Sequence, residues 1–388
     1  MYAEPDPCAH DFPAVFTHET QGHVFTFMPD GGQRYQALLA SIEEARHRLE
    51  IFYYMFQDDE AGGPVRDAIV RAAERGVDVD LVVDRFGTDA GDDFFAPIID
   101  AGGRFAFFNP RWNTRYLIRN HQKMCIIDDE TAIVGGFNVS DHYFKPPEEN
   151  GWADLGVIVQ GPVVARLRDW FAQISGWAHD PNAQYRAVRS MVREWDPGDA
   201  RVRLLVGGPT RIPSGWEQYI KRDFNRARRL DMVMAYFSPP LSYRRLIRKV
   251  ADRGKVNLVM AAKSDNGATI GASRALYRKL LKAGARIFEF QPCKLHMKLL
   301  VVDEFTYFGS ANFDHRSIRI NLEMMIRVED EELADRMRCY IAELRDASEE
   351  ITPQLHRKRS NPWALFKWWL SWSLVYLLDY TVTRRLNP

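Results

Sequence analysis

The sequence predicts an α/β protein made of two similar halves that share one functional site, followed by a helical tail at the C-terminus. A motif of the form His-x-Lys-x4-Asp occurs at residues 121–128 and again at residues 296–303. Each copy is followed by a short turn that contains Gly and ends in Asn. Predicted strands alternate with helices in the same order in both halves, which indicates an α/β sandwich in each. One motif per half predicts a single central site at the interface between the two pseudo-symmetric halves.

The first half is predicted to span residues 23–176, after a polar segment of residues 1–22 that we interpret as an N-terminal tail or lid strand. Apolar residues recur at helical spacing between Arg34 and Arg48, and residues 49–56 form the continuous apolar run of a buried strand. The predicted elements that follow are a helix at 65–75, a strand at 77–83, a helix at 94–101 and a strand at 105–108.

The second half, residues 200–350, repeats this order. The segments that correspond in sequence are 227–234 with 45–52, 251–254 with 73–76, and 283–287 with 101–105. Residues 177–199 are rich in charge and Pro, so we interpret them as the linker between the halves. The first half has an additional basic and aromatic segment, residues 111–120, just before its motif. This segment is either a gate or contact for an anionic substrate, or an ordinary surface loop.

Each motif has the spacing of a strand that presents two functional side chains together. His121 and Lys123 are two residues apart, so they share one face of a strand, and His296 and Lys298 repeat this spacing. The Asp that closes each motif stands where the apolar run ends and a turn begins. We therefore expect this Asp to support the end of the strand and not to transfer protons.

The composition limits the classes of function. The 388 residues carry 52 Lys and Arg against 52 Asp and Glu, and this zero net charge disfavours a nucleic-acid-binding protein. The four cysteines are widely separated and include no CxxC pair, so we expect no disulfide framework and no zinc site, as in a reducing cytosol. The N-terminus has neither a basic head nor an apolar stretch, so no signal peptide is expected.

The C-terminal tail, residues 351–388, differs from the rest of the chain in charge and aromatic content. Four of the ten Trp lie within residues 363–372, and from Arg357 onward there are six Lys or Arg and one Asp. The apolar run at 363–378 is shorter than the ~20 residues that span a bilayer, and it contains Lys367. We predict an amphipathic helix in the plane of an anionic membrane surface. The alternative is a helix that packs on the domain or in a dimer contact.

The duplicated motif resembles the signature of the phospholipase D superfamily, and its surroundings resemble the bacterial cardiolipin synthases. Arg119-Asn120 precedes the first motif as in those synthases, and residues 309–317, followed by Asn321-x-Glu323, resemble the segment after their second motif. The resemblance covers roughly residues 25–345. The sequence departs from the family in two ways. We expect this chain to lack the N-terminal transmembrane pair of many such synthases, and the second motif is one residue closer to its Gly turn than the first.

The resemblance implies a phosphatidyltransferase that forms cardiolipin from two phosphatidylglycerol molecules through a phosphatidyl-histidine intermediate. One histidine acts as the nucleophile and the other as general acid and then base. The family uses either half, and we expect His121 as the nucleophile and His296 as the acid and base. Lys123 and Lys298 would hold the non-bridging phosphate oxygens, so no metal or other cofactor is expected. The alternatives are a hydrolytic phospholipase D, another phosphatidyltransferase or, less favoured, a phosphodiesterase or nuclease acting on nucleic acid.

Further candidate site residues occupy parallel positions in the two halves. Asn138 and Asn312 end the Gly-containing turns, where they either donate to the substrate phosphate or only form the turn. Asp154 and Glu323 stand just before equivalent strands, where they either orient the two histidines or are solvated carboxylates at the strand entry. The motif carboxylates that complete the candidate set are Asp128 and Asp303.

The expected partners are a phospholipid substrate, phosphatidylglycerol, and an anionic membrane surface, with no nucleic acid. Since neither a signal peptide nor a spanning segment is predicted, we expect a peripheral protein on the cytoplasmic side of the bacterial cell membrane. The sequence does not determine the oligomeric state.

Overall fold

The computed structural model describes residues 15–109, 118–264 and 266–386, with side chains described as far as Val375. Two eight-stranded sheets, one in each half, form the body of the protein, and helices cover their outer faces. The predicted α/β sandwich is therefore confirmed in both halves. Most of the predicted gate or loop at 111–120 lies outside the described residues.

The first half ends at the last strand of its sheet, and two helices follow. The elements of the first half are β1 (Phe16–Thr20), β2 (His23–Met28), α1 (Gly31–Glu44), β3 (Arg48–Tyr53), α2 (Gly62–Glu74), β4 (Asp78–Asp84), α3 (Asp92–Asp100), β5 (Arg104–Phe108), β6 (Lys123–Ile127), β7 (Thr131–Gly135), β8 (Trp152–Ala153) and β9 (Gly156–Gln160). The connecting helices are α4 (Val163–His179) and α5 (Tyr185–Glu194).

The second half follows the same plan and continues into two C-terminal helices. Its elements are β10 (Val202–Gly207), α6 (Gly215–Arg226), β11 (Arg229–Met234), β12 (Phe237–Ser238), α7 (Leu241–Arg253), β13 (Lys255–Ala261), α8 (Gly267–Lys282), β14 (Arg286–Phe290), β15 (Lys294–Leu295), β16 (Lys298–Val302), β17 (Phe305–Gly309), β18 (Phe313–Asp314), α9 (His315–Arg319), β19 (Glu323–Glu329), α10 (Glu331–Asp346) and β20 (Ser348–Glu350). The helices of the tail are α11 (Pro353–Arg359) and α12 (Pro362–Leu386).

The two sheets have the same strand order once one edge strand of each is set aside. The first sheet runs β1-β2-β9-β7-β6-β3-β4-β5 and the second runs β10-β19-β17-β16-β11-β13-β14-β20. In both, three parallel strands adjoin the antiparallel strands that carry the motif. The repeat predicted from the sequence is confirmed, and the edge strands β1 and β20 are where the two sheets differ.

The sheets pack face to face through an apolar core to which both halves contribute. The rings of Phe25 and Phe27 in the first sheet meet Phe308 of the second edge-on, with centroid distances of 5.8 and 5.4 Å. Helix α4 adds the fully buried Trp170 to this core. Further apolar cores lie on the outer side of each sheet, under α1–α3 and under α6–α8. Burial of apolar surface, worth about 25 cal/mol per Å², thus holds the motif strands of the two halves against each other.

Two segments differ from their predicted structure. Residues 16–20, interpreted as part of an N-terminal tail or lid strand, form the edge strand β1 of the first sheet and pair antiparallel with β2. The predicted linker at 177–199 is largely helical, because α4 extends into it and α5 occupies its centre. Helix α5 forms because Tyr185, Val188 and Val192 are buried at helical spacing. The prediction gave the charge and Pro content of this stretch more weight than that spacing.

The cysteines also differ from expectation. Cys125 and Cys293 are buried free thiols, whereas Cys339 is disulfide-bonded. The sequence predicted no disulfide framework, and the disulfide at Cys339 departs from that expectation. The argument for a reducing environment, which depended on it, no longer holds.

The tail forms helices, and the first part of α12 packs on α8. The two helices approach closely at Gly271, where an added Cβ would lie 2.5 Å from Ser371 Oγ. His356 of α11 stacks on Trp368, with ring centroids 5.6 Å apart. The outward face of α12 exposes large apolar side chains, namely Trp363, Leu365, Phe366, Trp369, Leu370 and Leu374. Among the described residues, none of the helices combines the length and the apolar character needed to cross a membrane.

Replacing Gly271 by Leu should displace α12 from α8, because the new side chain would occupy the space of Ser371 and such overpacking costs about 1–3 kcal/mol. Trypsin cleavage at Lys367, within α12, should then be at least about fivefold faster than in the unchanged protein, since cleavage requires local opening of the helix. Gly267→Leu is the matched control, because an added Cβ at Gly267 on α8 would have no atom within 4 Å. Equal cleavage rates in the two variants would contradict close packing of α12 on α8.

Candidate active site

The two motifs meet at the interface between the halves, and each motif histidine is paired with a carboxylate from the opposite half. His121 Nδ1 lies 3.2 Å from Glu323 Oε2, and His296 Nδ1 lies 2.7 Å from Asp154 Oδ2. All four side chains are buried. The sequence predicted these carboxylates as the groups that orient the histidines. It did not predict that the pairs cross between the halves.

Backbone hydrogen bonds also connect the two halves at these pairs. The His121 amide donates to Leu322 O, and the Leu322 amide donates to Arg119 O, each at 2.9 Å. In the other pair the His296 amide donates to Ala153 O at 2.8 Å, beside the parallel pairing of β15 with β8. The residue before each carboxylate is thus hydrogen-bonded to the histidine that the carboxylate orients. These backbone hydrogen bonds hold each histidine at a set distance from its carboxylate.

The carboxylates determine the tautomers of the histidines. Burial alone would raise the pKa of Glu323, but its interaction with His121 and the charge of Lys123 bring it below its ordinary value. For Asp154, Lys298 and His296 likewise outweigh burial and lower the pKa. An ionised carboxylate only accepts hydrogen bonds, so Nδ1 of each histidine must carry the proton. The lone pair of each neutral imidazole is therefore on Nε2.

The protonation of the histidines is shifted by their surroundings. Burial lowers the pKa of His121 to about 4, and Lys123 acts in the same direction. Burial, aided by Lys298, also lowers the pKa of His296. Both histidines are therefore neutral at pH 7, and the Nε2 lone pairs are available for nucleophilic attack or proton uptake.

The two lysines of the motifs are buried beside their histidines, as the strand spacing predicted. Lys123 Nζ donates to the carbonyl oxygen of His121, and Lys298 Nζ donates to that of His296. Lys298 Nζ also lies 2.7 and 3.0 Å from the two ring nitrogens of His296. Burial lowers the pKa of Lys123 well below its ordinary value, and Lys298 adds to the effect. A bound phosphate would relieve this repulsion, because its negative charge favours both ammonium groups.

The two asparagines hold different positions in the site. Asn138 Oδ1 accepts from the Met55 amide at 3.2 Å, and its Nδ2 donates to the Tyr143 hydroxyl at 2.8 Å, so this side chain supports the turn. Asn312 is buried, and its Oδ1 has no hydrogen-bond partner within the described parts of the chain. The role of either amide as a donor to substrate stays a prediction.

The turns after the two motifs differ at the residue that lies beside the carboxylate. Ser310 Oγ donates to Glu323 Oε2 at 2.5 Å, and Asn321 Nδ2 lies 3.3 Å from Oε1 of the same carboxylate. Gly136 takes the place of Ser310 in the first half, where an added Cβ would lie 2.4 Å from Asp154 Oδ1. The shorter Asp thus requires Gly beside it, whereas the longer Glu is held by a serine hydroxyl.

The motif carboxylates lie at the other end of their strands from the lysines. Asp128 accepts from the backbone amides of His47 and Arg48 at 2.7 and 2.9 Å, and Asp303 accepts from that of Arg229 at 2.8 Å. Both have left-handed backbone conformations, with φ of 51° and 47°. These contacts hold the end of each motif strand against the start of the neighbouring strand. They support a structural role for the two carboxylates and not a catalytic one.

Arg34 is a positioning residue that the sequence analysis missed. It is fully buried, and its guanidinium donates to the carbonyl oxygens of Asp154 and Tyr143, each at 2.7 Å, and of Pro29 at 2.5 Å. It therefore fixes the backbone that carries Asp154. A signal was present in the sequence, because Arg34 continues the helical spacing of the buried Leu38 and Ile42 on α1.

Asp84 was missed as well, and no motif marks it. Its Oδ2 accepts from the Asn120 amide at 2.7 Å, directly before the first motif histidine. Burial raises the pKa of Asp84 to about 6, against the effect of this hydrogen bond. Aromatic rings complete the walls of the site, with Tyr54 4.8 Å from the ring of His121 and Tyr143 5.1 Å from that of His296.

No group of three or more His, Cys, Asp or Glu side chains in the described residues could hold a metal ion. Lys123 and Lys298 supply the positive charge beside the two histidines and their carboxylates. Independence from metals stays a prediction.

The comparisons with known proteins place these features in a family. A family model described as "Cardiolipin synthase, PLD-like domain" matches residues 38–175 and 220–345, which include both motifs. The major cardiolipin synthase ClsA of Bacillus subtilis is 32% identical over 340 residues, covering 84% of this chain and 68% of the relative. The cardiolipin synthase of Listeria monocytogenes serotype 4b is 29% identical over 371 residues, covering 91% of this chain and 74% of the relative.

Solved structures share the fold. The crystal structure of phosphatidylserine synthase from Haemophilus influenzae Rd KW20 has a TM-score of 0.72 at 14% identity, covering 95% of this chain and 96% of that chain. That of polyphosphate kinase from Porphyromonas gingivalis has a TM-score of 0.60 at 12% identity, covering 92% and 53%. At these identities the likeness concerns the fold alone.

The lowered pKa of His121 predicts a loss of stability in acid. Between its ordinary pKa of 6.5 and its folded pKa of about 4, the unfolded chain binds a proton that the folded protein does not. The free energy of unfolding should therefore fall as pH drops through this window, by up to about 1.4 kcal/mol per pH unit for this group. Urea unfolding at several pH values should show a shallower fall for His121→Asn than for the unchanged protein. His47→Asn, at an exposed histidine, is the control, and equal slopes in all three proteins would refute the burial of an uncharged His121.

Proposed function

Because the chain belongs to the family described as cardiolipin synthase, PLD-like domain, we propose that it is a phosphatidyltransferase that makes cardiolipin. One phosphatidylglycerol would donate its phosphatidyl group to a histidine and release glycerol, and a second would accept that group. The observation that carries this proposal is the pair of buried histidines, each with Nδ1 held by a carboxylate of the opposite half. Two buried lysines stand beside them to neutralise a phosphodiester.

In the first step, Nε2 of His121 would attack phosphorus, and the bond from phosphorus to the glycerol headgroup oxygen would break. The leaving oxygen takes a proton from Nε2 of His296, which must be protonated at that moment. Burial lowers the pKa of His296, but a bound phosphodiester anion acts in the opposite direction. The ammonium groups of Lys123 and Lys298 would stabilise the added negative charge of the transition state.

In the second step, a glycerol hydroxyl of the second phosphatidylglycerol would lose its proton to Nε2 of His296 and attack the phosphorus. The bond between phosphorus and His121 then breaks, and cardiolipin leaves. The second step reverses the proton transfer of the first, so one pair of histidines serves both. If water took the place of the hydroxyl, the product would be phosphatidic acid, as in a hydrolytic phospholipase D.

The surroundings of the two histidines support the assignment of His121 as the nucleophile. Lys298 Nζ lies within 3.0 Å of both ring nitrogens of His296, and an ammonium at this distance makes the ring a weaker nucleophile. The ring of His121 also has a carboxylate and a lysine beside it, but the hydrogen bond of Lys123 goes to the His121 carbonyl oxygen and not to the ring. This asymmetry favours His296 as the acid and base.

The proposed substrates are membrane lipids, so the protein must work at a bilayer surface. The outward face of α12 supports this, because Trp363, Phe366 and Trp369 are exposed there and Trp is enriched at membrane–water interfaces. We propose a peripheral association with an anionic bacterial membrane through this helix.

His121→Ala and His296→Ala should each lower cardiolipin formation from phosphatidylglycerol vesicles by about a thousandfold or more, because each removes an imidazole that no other group replaces. Mass analysis of the lipid products checks this, with His47→Ala as the control at an exposed histidine. Phosphatidic acid in place of cardiolipin would contradict transfer to a lipid acceptor.

The same variants identify the nucleophile. After rapid alkaline denaturation, which preserves a phosphorus–nitrogen bond, labelled lipid should remain on the protein with His296→Ala and not with His121→Ala. The reverse pattern would assign the nucleophile to His296.

A further inference from the structure

We propose that a cleft between α7 and α8, away from the motifs, binds the phosphate of an anionic phospholipid in the bilayer. Together with the outward face of α12, this basic cleft would form the surface that docks the protein on the membrane. The inference rests on the proposed function, since it assumes lipid substrates. The side chains that give the basic cleft its charge are Arg244, Arg245, Arg248, Asp252, Lys279 and Lys282.

The basic cleft concentrates positive charge in a chain whose total charge is zero. Its five basic side chains face one acidic side chain, Asp252, in a volume of about 460 Å³. That volume is within the range of roughly 300–1,000 Å³ for small-molecule sites. Over the described ranges, neither Arg245 nor Lys279 makes a salt bridge, and the same is true of Arg248 and Lys282. Such a cluster repels itself until an anion binds.

The spacing of the basic residues explains why they face one another. Arg244 and Arg248 are four residues apart on α7, and Lys279 and Lys282 are three apart on α8, so each pair lies on one side of its helix. The two helices are adjacent on the outer face of the second sheet. Each helix therefore contributes one row of cations, and the rows form the two walls of the basic cleft.

A second cavity of about 350 Å³ connects this charge to the tail. It shares Arg244 and Lys279 with the basic cleft, and its other wall is formed by Leu365, Trp368 and Trp369 of α12. The surface is thus cationic at one end and apolar and Trp-rich at the other. A phospholipid likewise has an anionic phosphate at one end and apolar acyl chains at the other. A soluble phosphate would make no contact with the apolar end of the surface. The complementarity favours a lipid of the bilayer as the occupant.

The docking surface adjoins helix α9, which begins three residues after the candidate site residue Asn312. Helix α12 packs against α9 as well as α8. Burial raises the pKa of Tyr54 to about 12, and the positive charge of Arg316 on α9 opposes that rise. Tyr54 is the ring beside His121. A membrane held at the basic cleft and α12 would therefore lie on the side of the molecule where α9 approaches the second motif turn.

The test compares two variants with equal changes of charge. The cleft variant is Arg245→Glu, Arg248→Glu, Lys279→Glu and Lys282→Glu, and the control variant is Arg46→Glu, Arg201→Glu, Arg226→Glu and Arg228→Glu. All eight side chains are exposed and outside the proposed catalytic groups. Co-sedimentation with vesicles of phosphatidylglycerol in phosphatidylcholine measures binding, and turnover of a water-soluble phosphodiester measures the intact site. Melting temperatures show that both variants fold.

The cleft variant should bind these vesicles at least about tenfold more weakly than the control variant, because four cations near an anionic surface are lost from one face. Both variants should retain turnover of the soluble phosphodiester. Binding of the unchanged protein should weaken as sodium chloride is raised, and pure phosphatidylcholine vesicles should bind it weakly. Equal binding by the two variants would overturn the proposal, since the loss would then reflect total charge or α12 alone.

A competition experiment distinguishes a lipid site from a site for free phosphate. Inorganic phosphate should displace the protein from vesicles no better than sodium chloride at the same ionic strength, and specific displacement by phosphate would overturn the assignment to a lipid. Because sedimentation does not depend on product formation, a protein that binds but makes no cardiolipin would refute the proposed function and leave the docking surface standing.

Discussion

The hydrogen bond between each motif histidine and a carboxylate of the opposite half is the interaction on which the rest of the site depends. It joins His121 to Glu323 and His296 to Asp154, so neither half contains a complete imidazole–carboxylate pair of its own. The crossing is possible because the two sheets bury a common apolar core and bring the ends of their motif strands together. Backbone hydrogen bonds at Leu322 and Ala153 then align each histidine with the carboxylate of the opposite half. Duplication alone would give two half-sites, and the packing of the sheets makes them one.

The electrostatics of the site follow from burial of this constellation. Two lysines, two histidines and two carboxylates share a space with little solvent, where charged groups are costly unless they are paired. The carboxylates stay ionised because cations surround them, and the histidines stay neutral because the lysines and burial both oppose a further positive charge. An anionic phosphodiester would reverse the balance, since it stabilises the lysines and favours protonation of a histidine. The site is thus arranged for an anion and for proton transfer only once the anion has bound.

Much of this could be predicted from the sequence, because the two halves repeat. The shared strand order, the common face of histidine and lysine, and the identity of the orienting carboxylates all follow from patterns with a period of two residues or from matched positions in the halves. The crossing of the pairs could not be predicted, because parallel positions are equally compatible with pairing within a half. Arg34 and Asp84 act through backbone groups that come together only in the fold. The helix α5 and the packing of α12 on α8 were missed or left open because local charge and composition concealed their apolar spacing.

The crossed pairing can be measured directly by ¹⁵N NMR of the two motif histidines at pH 7, which reports the protonation of each ring nitrogen. In the unchanged protein both rings should carry the proton on Nδ1 and a bare Nε2. Glu323→Gln should alter the signals of His121 and leave those of His296 almost unchanged, and Asp154→Asn should do the reverse. If Glu323→Gln instead shifted His296, the carboxylates would pair within their own halves, and the single site built by exchange between the halves would be contradicted.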